Sequence, residues 1–178
     1  MFNEFLDFFD VDKQIERTSD PYTTFLQQLG GKQFGDGLFT SFDSADIEKW
    51  TKIAESAYPG LTGKIKLFGH DWLGRIFAVD LRDNRKSLIL MLEIGTGEAL
   101  EIPCNFEDFL NEEMILFTDA CLAQSFYDEW RSLGNSAPQY GQCVGYKVPL
   151  YLGGADDVTN IENGDMEVYW GLLSQLNG

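Results

Sequence analysis

The sequence predicts an α+β domain: an antiparallel β-meander packed by helices. Three observations carry this. Four short β-rich segments follow one another between residues 64 and 102 with turn residues between them. Helically spaced apolar residues precede and follow that block. The chain has 178 residues, 44% hydrophobic and 14% aromatic, which is material for one core at a length typical of single domains, about 100–200 residues.

At the N-terminus, Phe2, Phe5, Leu6 and Phe9 repeat at i, i+3, i+4, i+7 and share one helix face. A second helix is better punctuated: Asp20 can cap it, Pro21 suits its first position, Tyr22, Phe25, Leu26 and Leu29 form its stripe, and Gly30-Gly31 end it. Residues Gly35 to Phe39 read as a turn into a short strand. A helix from about Ser44 to Tyr58 follows, with Ile47, Trp50, Ala54, Ala57 and Tyr58 on its apolar face and Pro59-Gly60 closing it.

The meander strands are expected at Lys64–Phe68, Arg75–Arg82, Ser87–Ile94 and Ala99–Ile102. In the second, Phe77, Val79 and Leu81 point one way and Ile76, Ala78 and Asp80 the other, giving one largely apolar face. Leu88 to Leu92 lacks polar alternation and is expected to be the central strand, covered on both sides. Asn105 can cap a helix over Phe106–Ile115, and Thr118 one over Asp119–Leu133. Cys143 to Leu152 reads as an extended edge segment bent at Pro149, followed by an acidic loop. A last helix begins at Asp165, with Met166, Tyr169, Leu172, Leu173 and Leu176 at helical spacing.

Charge is distributed unevenly. The chain has 13 basic and 29 acidic residues, a net of −16. Residues 1–92 hold 11 of the basic and 14 of the acidic groups, whereas residues 93–178 hold only Arg131 and Lys147 against 15 acids. Nucleic acid and anionic membranes require clustered Lys and Arg, so neither is an expected partner; a basic protein is. The N-terminus has no basic n-region with an apolar run, no apolar stretch approaches the roughly 18 residues of a spanning helix, and three unpaired-looking cysteines fit a reducing, cytoplasmic setting.

Catalytic and cofactor motifs are not found. One histidine, His70, excludes paired-histidine metal sites, and it reads as a structural or surface residue at a strand end. There is no GxSxG, no GxxxxGK[ST], and Gly95-Thr-Gly97 is read as a hairpin turn. The segment Gly153 to Asp165 offers oxygen ligands, yet placing Gly164 at the sixth position of a calcium loop puts Thr159 and Ile161 at the first and third and Trp170 where the bidentate Glu belongs. No catalytic residue, metal or cofactor is expected, although an enzyme using an acid pair or an Asp-bound metal remains a competing class.

Several separated strings, in order, resemble the C-terminal domain of type VI secretion immunity proteins of the Tdi-like family: Phe68 to Asp80 (FGHDWLGRIFAVD), Glu93 to Glu98 (EIGTGE), Val144 to Asp157 (VGYKVPLYLGGADD) and Glu167 to Trp170 (EVYW). Leu29 to Phe39 (LGGKQFGDGLF) resembles the N-terminal, GAD-like part of the same proteins. Both parts are similar to the wider SUKH superfamily, so the resemblance implies a SUKH-like fold with a helical GAD-like part over 1–60 and an immunity-type α+β part over 61–178, forming one compact unit. It also implies a non-catalytic bacterial protein that neutralises a cognate toxin by binding it in the cytoplasm. The alternative within the same superfamily is a regulatory or scaffold domain that binds an endogenous protein.

A nuclease toxin presents a basic groove to phosphates, so concentrated carboxylates can occupy that groove and speed encounter. The expected partner is therefore a basic toxin. The candidate contact residues are Asp156, Asp157, Glu162 and Asp165 on the acidic loop, with Glu107, Asp108, Glu112 and Glu113 on the covering helix. Trp72, Tyr146, Tyr169 and Trp170 are expected to hold the fold rather than touch a toxin.

Overall fold

The structure is a computed structural model that describes residues 1–82 and 88–176. Ser87, the expected start of the third meander strand, and the turn before it lie outside the described residues. The meander is present and longer than expected. Strands β1 (Gln33–Phe34), β2 (Phe39–Ser41), β3 (Ile65–Asp71), β4 (Ile76–Asp80), β5 (Ile89–Glu93) and β6 (Glu98–Ile102) form one antiparallel sheet in chain order. The α+β class is thus shown.

Helices cover both faces. On one side, α1 (Asn3–Phe8) and α2 (Pro21–Leu29) pack with the helical run from Phe106 to Ser132. On the other lie α3 (Ile47–Ala57) and α8 (Met166–Leu176), which bring Trp50, Ala54, Met166, Trp170 and Leu173 against the sheet. Asp20 caps α2 by accepting the Thr23 N–H at 3.2 Å, with Pro21 at its first position. The first core is built on phenylalanine: Phe5 lies edge-on to Phe9, Phe25, Phe34 and Phe39 with ring centroids 4.8–6.0 Å apart. It draws on Phe2, Phe5 and Phe25 as well as Trp72, Phe109, Trp130 and Val144, residues on both sides of position 60.

Because both faces are covered, β4 is buried at every residue rather than on one apolar face. Phe77 and Val79 enter the first core, Ile76 and Ala78 the second. Strand β5 is covered on both sides as expected, but it is not central: it lies one place from the sheet edge, with only β6 beyond it, while the hairpin β1–β2 extends the other side past β3. Residues Gly35 to Leu38 form the turn of that hairpin, and Phe34↔Phe39 and Gln33↔Thr40 pair across it. Leu67 faces one core and Phe68 the other, as successive strand residues do, and the register of β3 shifts between Leu67 and Gly69. Gly69 sits where a Cβ would lie 2.7 Å from the Thr40 carbonyl oxygen.

The covering helices are more broken than expected. Asn105 accepts the Asp108 N–H at 3.0 Å, but the run then contains α4 (Phe106–Asp108), a π-turn (Phe109–Glu113) and α5 (Met114–Leu116). The helix expected over Asp119–Leu133 is two: α6 (Thr118–Leu122) and α7 (Gln124–Ser132), separated by Ala123 at φ 50°. Thr118 belongs to α6 and its hydroxyl donates to the Ile115 carbonyl instead of capping. Two buried side chains hold the break. Trp72 Nε1 donates to the Leu122 carbonyl at 2.9 Å, and Arg75 Nη2 to the Cys121 carbonyl at 3.2 Å. Asp119 accepts the Ser125 N–H at 2.7 Å, which satisfies a first-turn donor of α7.

Candidate functional site

The C-terminal segment departs most from its expected form. Only β7 (Gln142–Tyr146) of the expected Cys143–Leu152 extension is a strand. A 3-10 turn occupies Leu150–Leu152, and the last five residues of the expected acidic loop are β8 (Ile161–Asp165), antiparallel to β7. Polar Glu162, Asn163, Gly164 and Asp165 hid that strand, whose last four residues are exposed. Helix α8 begins at once, Asp165 accepting the Val168 N–H at 2.9 Å.

Gly145 makes the junction of β7 with α8 feasible. A Cβ there would lie 2.4 Å from a Tyr169 ring carbon, so only glycine lets that ring lie against the strand. Tyr169 Oη accepts the Tyr146 N–H at 3.3 Å. Between the hairpin and the outer side of α8 is a groove of about 410 Å³, bordered by Pro149, Glu162, Gly164, Val168, Leu172 and Leu176. Val168, Leu172 and Leu176 stand at i, i+4, i+8 and are 58%, 58% and 57% exposed. Leu172 and Leu176 are therefore not in the buried stripe where the sequence spacing put them; Met166, Trp170 and Leu173 fill it. Trp72 and Trp170 are fully buried, whereas Tyr146 and Tyr169 anchor the groove wall as well as the fold.

The four candidate acids of this region are all exposed, and they are not equivalent. Asp156 accepts the Tyr146 hydroxyl at 2.6 Å. Asp157 accepts Thr159 N at 2.8 Å and its hydroxyl at 2.6 Å, bonds that hold its carboxyl below the usual carboxylate range. Asp165 starts α8. Glu162 has no hydrogen-bonded partner among the described residues and stands on the groove side of β8, opposite Gly145.

The second candidate set lies elsewhere. Glu107, Asp108, Glu112 and Glu113 ride on α4 and the π-turn, which pack against α1 and α2, while β8 packs against β7 and α8. Asp108 and Glu112 are exposed, Glu107 and Glu113 half-buried. The structure does not join the two sets on one element. Among the described residues, none of the eight acids enters an ion pair; the pairs present are Lys49–Glu167, Lys52–Glu48, Arg75–Asp71, Arg82 with Asp80 and Glu101, and Arg131–Asp36.

The histidine and the cysteines are buried or half-buried. Burial pushes the Cys104 thiol up to about 12 and that of Cys121 to about 11, and it raises Cys143 further. His70 is buried in β3, pushed down to about 4 by desolvation, and its Nδ1 lies 2.9 Å from the Asp71 carbonyl oxygen. Asp71 itself meets Arg75 at 2.6 Å inside the protein. Burial raises its carboxyl, and the guanidinium offsets part of that rise. Burial also lifts Glu93, half-buried near Arg75, and Tyr146 is raised by burial and by the adjoining Asp156. Among the described residues no group of three His, Cys, Asp or Glu side chains is placed to hold a metal ion, and no described helix is long and apolar enough to cross a membrane. The surface offers an apolar groove with carboxylates at its border.

Residues 104–177 match the family model described as T6SS immunity protein Tdi1, C-terminal. That match covers the second covering-helix set, the hairpin β7–β8, the groove and α8. Among solved structures, the crystal structure of Atu4351 from Agrobacterium tumefaciens is similar over 98% of this chain and 89% of that chain, with a TM-score of 0.66 and 16% sequence identity. At that identity the likeness shows the fold alone. No curated protein sequence matches.

Proposed function

We propose, proceeding from the match of residues 104–177 to a type VI secretion immunity family, that this chain binds and neutralises a basic, nuclease-type toxin without catalysis. Its C-terminal part supplies the contact surface. The observation that carries the reading is the groove between β7–β8 and α8, within the matched segment, where an exposed apolar stripe is bordered by Glu162 and Asp165. Apolar area at the centre with charge at the border is the usual anatomy of an interface.

In this reading Glu162, Asp165, Asp156 and Asp157 meet basic side chains of the toxin directly, and Glu107, Asp108, Glu112 and Glu113 add to the field that draws it in. The half-chain that contains them holds 15 acids and two bases. Binding takes place in the cytoplasm, and the toxin's phosphate-binding groove is what the acids occupy. The division into a GAD-like part over 1–60 and an immunity-type part over 61–178 belongs to the same proposal, as does kinship with SUKH domains.

Co-expression with the product of the adjoining gene tests the reading. Rescue of growth together with a complex that survives gel filtration supports it, and toxicity that persists with no complex overturns it. Within a complex, Glu162→Lys is expected to slow association several-fold at low salt and to flatten the salt dependence. Unchanged kinetics would remove Glu162 from the interface.

A further inference from the structure

The outer edge of β8 has the geometry of an acceptor for another strand. Val144 N donates to the Trp72 carbonyl at 2.7 Å and Tyr146 N to Tyr169 Oη at 3.3 Å, so both N–H groups point away from β8. In an antiparallel pair, residues directly opposite one another alternate between bonding across the pair and facing outward together. Asn163 lies opposite Val144 and Ile161 opposite Tyr146. Their main-chain N–H and C=O groups therefore face away from β7, and among the described residues no hydrogen bond reaches them. Along this edge Glu162 to Asp165 are exposed, whereas Ile161, only 4% exposed, is largely covered.

Both faces beside that edge are hollow. The α8 groove reaches this edge from one side, and a second hollow of about 480 Å³ bordered by Trp130, Asn135 and Val158 reaches it from the other, Glu162 and Asn163 bordering both. A strand added to β8 sends alternate side chains into each. The other sheet ends lack this arrangement. Strand β1 has two residues, and β6, though exposed, borders none of the described hollows.

We propose that β8 receives an extended segment of the toxin as an added strand, main chain to main chain along its exposed residues Glu162 to Asp165, a step that rests on the immunity reading above. The segment carries apolar residues for Val168, Leu172 and Leu176 alternating with, or flanked by, Lys and Arg for Glu162 and Asp165. Backbone pairing supplies strength and the two hollows supply selectivity. A second copy of this chain is the poorer occupant, because its β8 would set Glu162 and Asp165 against their own kind.

Residue-resolved amide exchange on the full chain, free and bound to the product of the adjoining gene, reads the geometry without mutation. The outward amide of Asn163 is expected to slow at least about tenfold in the complex. A complex in which it keeps its free rate, including one whose new protection is confined to α8, overturns strand addition and leaves the immunity reading standing. If there is no complex and no growth rescue, the immunity reading fails and this inference with it. As a second arm, Asn163→Pro deletes one outward N–H and no ladder donor. It should weaken binding about tenfold, the equivalent of one good hydrogen bond, whereas Asn163→Ala, which keeps the N–H and alters only the border of the hollow, should weaken it distinctly less. Equal binding by a folded Asn163→Pro protein overturns the inference.

Discussion

His70 and Gly145 show how much a single position can carry. A buried neutral imidazole donates its Nδ1 proton to the Asp71 carbonyl, and desolvation holds its pKa at about 4 against about 6.5 in an unfolded chain. Between those values the unfolded state binds more protons, so stability rises with pH. The contribution is whole above about pH 6.5 and is lost as pH falls through 4, amounting to about 3 kcal/mol. His70→Asn, which keeps a donor and cannot titrate, should lose correspondingly less stability between pH 7 and pH 4; parallel denaturation profiles for the two proteins would refute this. Gly145→Ala would push Tyr169 from its place against β7 and should cost about 1–3 kcal/mol by overpacking, measured by urea unfolding. The sequence showed His70 to be an isolated histidine and no more; its burial follows from β3 lying inside the sheet, which depends on β1–β2 pairing beyond it.

At the scale of elements, sequence reading succeeded where local signals act alone and failed where distant residues decide. The Asp20–Pro21 start of α2 and the turn at Gly95–Gly97 are local, and both are present. The break between α6 and α7 is not local, since Trp72 and Arg75, some fifty residues away, claim the carbonyls of Leu122 and Cys121. Nor is β8, a polar strand that exists because β7 pairs with it. Arg75→Met should therefore destabilise by about 3–5 kcal/mol, because it strands the buried Asp71 carboxylate as well as freeing the α6 terminus; a loss below about 1 kcal/mol in chemical denaturation would contradict the role given to the pair. Helix α8 held a signal that spacing alone missed. Its sequence carries one apolar stripe at Met166, Trp170 and Leu173 and another at Val168, Leu172 and Leu176, and a helix apolar on two sides is built for two contacts. The sheet supplies only one of them.

For the whole molecule the leading quantity is charge in relation to shape. The acidic half was legible by counting, but counting could not rank its acids, of which Glu93, Glu107 and Glu113 are half-buried and Asp156, Asp157, Glu162 and Asp165 exposed. The structure separates Glu162, which borders an apolar groove and has no hydrogen-bonded partner among the described residues, from Asp156, Asp157 and Asp165, whose oxygens already serve Tyr146, Thr159 and Val168. It also separates the two candidate sets onto elements that do not form one cluster. The fold is therefore a three-layer body with one face of its C-terminal hairpin and helix left open and negatively bordered. The most direct measurement of its purpose is the association rate with the product of the adjoining gene as a function of ionic strength. The account predicts tight binding whose rate falls steeply with added salt, more shallowly for Glu162→Lys. No binding at low salt, or a rate indifferent to salt and to Glu162→Lys, would contradict it.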